Sequence, residues 1–103
     1  MASLEELRLQ LDEIDDQMVR LYEERMKVCA QVGEYKIKNG KKVLDRQREK
    51  NKLQAVSEKA SSEFNKKGVR ELYEQLMLMF LAIFLLRHSF WYLVQLCRTR
   101  KLQ

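Results

Sequence analysis

The first 38 residues place an apolar side chain at nearly every third or fourth position. These are Leu4, Leu7, Leu11, Ile14, Met18 and Leu21, then Val28, Val32 and Tyr35. Steps alternating between three and four draw one apolar stripe down one face of an α-helix. Ser3 with Glu6 reads as a capping box at its start, and Asn39–Gly40 as its stop, with Gly40 suited to the left-handed position. The spacing therefore predicts a single helix over about 3–38. At 1.5 Å per residue it is roughly 50 Å long, whereas a compact domain of about 100 residues has a radius of gyration of about 13 Å. One end must protrude, or the stripe must pack on another chain. Because the stripe runs the whole length, an intertwined or helix-swapped oligomer is the simplest solution. Gly33 costs about 1 kcal/mol in a helix interior, and it reads as a point of close helix packing.

The remainder is also helical in character. The chain has 103 residues, no proline and three glycines, with 34% charged and 46% apolar residues, a long-helix composition. The expectation is an all-α fold, a three-helix protomer forming an intertwined dimer, in one domain spanning 1–103. "KKVLD" reads as a linker, and Asp45 as the N-cap of a second helix over about 46–60, closed by Ser61–Ser62. A third helix is expected from about 65, with Asn65 as N-cap and Phe64 and Val69 as a hydrophobic staple. The N-terminus shows neither a basic nor an apolar leader segment. Cys29 and Cys97 are far apart in sequence and His88 is the lone histidine, so no metal-ligand spacing or disulfide framework is present. A reducing, cytoplasmic setting follows. The net charge of +5 is spread along amphipathic helices and not gathered into one recognition run. Most lysines therefore read as solvated, and nucleic acid is not an expected partner.

A few basic residues do not fit that solvated face. The stripe position after Leu21 is occupied by Arg25, and the stripe itself carries no carboxylate. Arg25 requires an anion, either a glutamate of another helix or a bound ligand. Lys36 lies eleven residues on, which puts it within about 20° of Arg25 in facing and roughly 16 Å along the axis. Taken alone, it reads as a solvated lysine near a helix end. Arg8 lies 17 residues before Arg25, roughly 25 Å away and about 100° round the helix. It cannot share a small site with Arg25 on one straight helix, but it could serve a partner's site. Asp45, Arg48 and Glu49 cluster at the start of the second helix, where anions are favoured. Their plain reading is helix-surface charge.

Taken together, "LEELRLQLDEIDDQMVRLYEERMKVCAQVGEYKIKNG" and the following "VLDRQREK" resemble the all-helical class of chorismate mutase. They look especially like the mutase domain that begins bifunctional prephenate dehydratases. The likeness covers residues 4–79. It implies a three-helix protomer, an intertwined homodimer and the conversion of chorismate to prephenate on the route to phenylalanine and tyrosine, without a cofactor. Carried over by motif, Arg25 and Arg48 would bind substrate carboxylates, and Arg8 of the partner subunit would complete the site. Lys36 would hydrogen-bond the ether oxygen, and Glu49 the ring hydroxyl with Asp45 beside it. Residue types and reaction agree: a pericyclic step needs a flexible dianion held in its reactive conformer, with cations where charge develops.

The likeness breaks on the third helix. There the family pattern has a serine or threonine, followed four residues later by a glutamine or glutamate that helps hold the ether oxygen. Uninterrupted register puts Phe80 and Phe84 at those positions. Thr99 and Gln103, in the final "TRKLQ", keep the expected spacing, as if about 19 residues had been inserted before them. Residues 76–97 are apolar at 18 of 22 positions, the exceptions being Arg87, His88, Ser89 and Gln95. Three readings of this segment remain: a helical extension, buried or oligomer-forming; a disruption of the native C-terminus; or a membrane anchor. Arg87 and His88 fall mid-span and weigh against the anchor, since a charge there costs about 2.5–3.5 kcal/mol. Thr99 and Gln103 could reach a site if the segment folded back near 87–89, or if a partner's helix received them.

Overall fold

A computed structural model describes the backbone of residues 1–101 and the side chains of residues 1–86. Among the described residues the regular structure is three helices and no strand: α1 (Leu4–Lys38), α2 (Arg46–Glu58) and α3 (Glu63–Lys101). The chain divides into two compact units, residues 1–39 and residues 40–103.

The first unit is α1. Its capping box forms as the sequence predicts. The Ser3 side chain accepts from the Glu6 amide at 3.2 Å, and the Glu6 carboxylate accepts from the Ser3 amide at 3.3 Å. The helix ends at Asn39, and Gly40 takes φ +67°, the left-handed conformation that favours glycine. Gly33 is the buried residue of α1. The predicted stripe is present but exposed from end to end: Leu7 at 46%, Leu11 at 57% and Val28 at 56% are representative.

The second unit is a helical hairpin in which α2 packs on α3. The Asp45 side chain accepts from the Arg48 amide and starts α2. Val56 and Ser57 are buried, and the Ser57 hydroxyl donates to the Gln54 carbonyl at 2.9 Å, so it enters the interior satisfied. On α3 the half-buried positions Val69, Tyr73, Leu76, Met77 and Phe80 lead to Phe84, which is only 2% exposed. One expectation at the start of α3 needs correcting. The helix opens at Glu63, because the Ser62 hydroxyl accepts from the Asn65 amide at 3.1 Å. Ser62, not Asn65, is therefore the cap. Phe64 then falls inside the first turn at 86% exposure and forms no staple with Val69.

The α3 backbone continues without a turn through residues 87–89 to Lys101, a total of 39 residues. Of the three readings of the apolar segment, this is the geometry of a helical extension. Among the residues whose side chains are described, no helix is long and apolar enough to cross a membrane.

Burial separates the two phenylalanines of α3 cleanly. Phe84→Ala should destabilise the chain by about 3–5 kcal/mol, as expected for an emptied core site, while Phe64→Ala should stay within about 0.5 kcal/mol. Urea unfolding followed by circular dichroism measures both. Equal shifts in midpoint would contradict this placement of the core.

Candidate active site

Arg25 and Lys36 both sit on α1 and both are half-buried, although the stripe residues Leu21, Val28, Val32 and Tyr35 near them are exposed. The Arg25 guanidinium donates through Nη1 to the Cys29 Sγ one turn on, at 3.6 Å. Helix geometry sets the two cations roughly 16 Å apart on nearly one face. That spacing lets them reach opposite ends of a small dianion with their flexible side chains. Arg8 is exposed, near the other end of the same helix and roughly 25 Å from Arg25 along the axis.

The second unit presents its own charged group. The Asp45 carboxylate accepts from the Arg48 amide at 3.1 Å, and the Asp45 carbonyl from the Glu49 amide at 3.0 Å. These two bonds fix the first turn of α2 and with it Arg48, which is exposed, and Glu49, which is half-buried. Asp45 thus has a defined structural task whatever else it does. Arg25 and Lys36 lie in one unit, and Asp45, Arg48 and Glu49 in the other.

Beside the start of α2 the structure shows a feature that the sequence reading missed. Residues 40–44 and Arg46, with Leu81 and Leu85, line an open cleft of about 720 Å³. Its basic residues are Lys41, Lys42 and Arg46, and its apolar wall is Val43, Leu44, Leu81 and Leu85. Small-molecule sites span roughly 300–1,000 Å³. The sequence signal was present in "KKVLD", but nothing in its spacing marks Leu81 and Leu85, about 40 residues later, as the opposite wall.

Phe80 and Phe84 occupy the register at which the sequence comparison expects hydrogen-bonding side chains. Their ring centroids are 5.4 Å apart and the planes tilt by 35°. This is a packed aromatic pair, and neither ring offers a conventional hydrogen-bond donor. Thr99 lies on the continuous backbone of α3, 19 residues beyond Phe80, or roughly 28 Å along the axis. Its side chain, like all of Gln103, lies outside the described residues.

An all-helical chain with cations at these spacings, and a carboxylate-capped second helix carrying an Arg–Glu pair, falls into a recognisable class. The sequence profile of the chorismate mutase type II family matches residues 7–83, about three quarters of the chain. The protein belongs to that family. The matched stretch includes Arg8, Arg25, Lys36, Asp45, Arg48 and Glu49. It ends just before Phe84, so most of the apolar extension lies beyond it. No curated protein matches the chain.

The capping bond makes one prediction about this site. Asp45→Ala should lose about 1 kcal/mol of stability (range about 0.5–2), while Asp45→Asn, which keeps an acceptor at the N-cap, should lose little. Urea midpoints of the two variants decide it. A comparable loss in both would mean that the Asp45 charge, and not its capping bond, is what matters.

Proposed function

We propose that the chain is a chorismate mutase, an isomerase that rearranges chorismate to prephenate in the cytoplasm, on the shikimate-derived route to phenylalanine and tyrosine. The observation that carries this reading is the family match over residues 7–83, a stretch that includes all six charged candidates. The domain is taken as the whole of 1–103, and the working form as a homodimer.

Each residue has a chemical role in this reading. Arg25 and Arg48 bind the two substrate carboxylates. A guanidinium suits the task because it is planar, bidentate and permanently charged. Arg8 of the partner subunit closes over the same substrate, a role suggested by its distance from Arg25 along α1. Lys36 donates to the ether oxygen, where negative charge grows as the carbon–oxygen bond breaks. Glu49 accepts from the ring hydroxyl, with Asp45 adjacent. No group needs to add or remove a proton, and no cofactor is required. Catalysis comes from holding the reactive conformer and stabilising developing charge.

The Phe80–Phe84 pair favours reduced turnover. A second donor to the ether oxygen is missing at that register, and Thr99 and Gln103 could supply it only by reaching a site from the far end of α3, such as one on a partner subunit. Loss of one preorganised donor typically costs about a hundred- to a thousand-fold in rate. The same pair keeps a second reading alive: a non-catalytic helical oligomerisation module derived from this fold. That reading predicts correct folding with no consumption of chorismate.

The test is the loss of chorismate absorbance on adding purified chain, with prephenate identified as the product. It is best run beside a variant lacking residues 80–98, which joins Met79 to Thr99 and puts Thr99 and Gln103 at the register of Phe80 and Phe84. We expect slow turnover by the full chain and turnover faster by roughly a hundred-fold or more in the shortened one. A full chain as fast as the shortened one would show that Gln103 already reaches the site.

A shared site also predicts complementation. Arg8→Ala and Arg25→Ala chains, each nearly inactive alone, should regain part of the parent activity after co-refolding, because some heterodimer sites would be intact. Heterodimers that form without any recovery would put the whole site in one chain.

A further inference from the structure

The cleft beside α2 is made of residues that the mutase reading does not use. None of Arg8, Arg25, Lys36, Asp45, Arg48 and Glu49 lines it. Its two sides differ in chemistry. The linker side carries Lys41, Lys42 and Arg46, and no carboxylate lines the cleft. Lys42 and Arg46 are exposed, and neither enters an ion pair among the described residues. The α3 side is hydrocarbon. Leu81 is half-buried, and Leu85, one turn further on, is 44% exposed. Leu44, 38% exposed, extends this apolar surface from the linker. The charge is concentrated in this part of the sequence. Residues 40–52 hold six basic side chains against two acidic ones, and one of those two, Asp45, is engaged in capping α2.

We propose that this cleft binds a small amphipathic anion, a monocarboxylate on an aryl or alkyl body of roughly a dozen heavy atoms, a size suited to a small-molecule cleft. Water solvates the cations well and the leucines poorly. A ligand with a charged end and a hydrocarbon body answers both sides at once. The carboxylate lies against Arg46 and Lys42, and the body covers Leu81 and Leu85. Arg46 suits that end, because its planar fork matches a carboxylate. It is also the first residue of α2, where the helix dipole favours an anion. Other occupants match only half of the cleft. An inorganic anion would leave the leucines uncovered, and a neutral hydrocarbon would leave the cations unanswered. A single-stranded nucleic acid would call for aromatic stacking surfaces, and no aromatic side chain lines the cleft. The proposal does not depend on turnover of chorismate.

Titration of the full chain with 4-phenylbutyrate, followed by amide nitrogen–proton correlation NMR, gives affinity and location together. We expect saturable shifts at the amides of residues 40–44 and of Leu85. Acetate, which lacks the body, and 4-phenylbutanamide, which lacks the charge, should each bind about fivefold more weakly or worse. Lys42→Gln combined with Arg46→Gln should weaken phenylbutyrate binding by about fivefold or more. Leu85→Asn should do the same, at an exposed position whose replacement leaves the Val56 and Phe84 core in place. Lys50→Gln with Lys52→Gln removes equal charge from α2 outside the cleft, and should change the affinity by less than about twofold. Equal loss in the two double variants would reduce the effect to net charge and overturn the proposal. So would undiminished binding of the amide, or shifts centred on Arg25 and the α1 stripe instead of the cleft.

Discussion

A stripe of nine apolar side chains, exposed along a 35-residue helix, is the constraint on which the rest of this protein turns. Full burial of side chains of this size is worth about 1.5–3 kcal/mol each. Covering a stripe already about half-hidden would therefore contribute on the order of 10 kcal/mol per chain, before the entropic cost of association. No helix is held together by propensity on that scale; helical stability comes chiefly from packing the apolar face. A second copy of the same helix, related by two-fold symmetry, is the partner that our functional reading supplies.

The charge chemistry follows from the same stripe. Arg25 stands between Leu21 and Val28 on the face that needs covering. Any partner that covers Leu21 and Val28 carries the guanidinium into a region of lower dielectric, where its attraction for a carboxylate strengthens. Lys36 shares the facing, and Arg8 is too far along the helix to join them. In the proposed dimer, one association both buries the stripe and gathers cations from two chains around a dianion. α2 contributes differently. Its carboxylate cap fixes the first turn, and the first turn holds Arg48 and Glu49.

What could be read from the sequence tracks the range of the forces involved. The capping box, the Asp45 cap, the left-handed Gly40 and the bounds of α1 all depend on neighbours within a few residues, and each formed as read. The start of α3 falls three residues before the expected cap because "SSEFN" offers two competent caps. Ser62 won over Asn65, which left Phe64 in solvent. The cleft between residues 40–44 with Arg46 and Leu81 with Leu85 was not legible, since a contact across the hairpin leaves no periodic trace in the sequence. For the site, sequence spacing recovered which cations share a face of α1. The grouping of α1 cations with Arg48 and Glu49 came from family likeness, because no local pattern links residues on separate helices.

The central claim is that α1 is held by a second chain. Serial dilution of the purified protein, followed in parallel by sedimentation velocity and by circular dichroism at 222 nm, tests it most directly. The account predicts that mass and helicity fall together, with a midpoint that moves to higher concentration when Leu11 and Ile14 are replaced by asparagine. A chain that sediments as a monomer while keeping its full helicity would show that the stripe needs no partner, and would contradict the account.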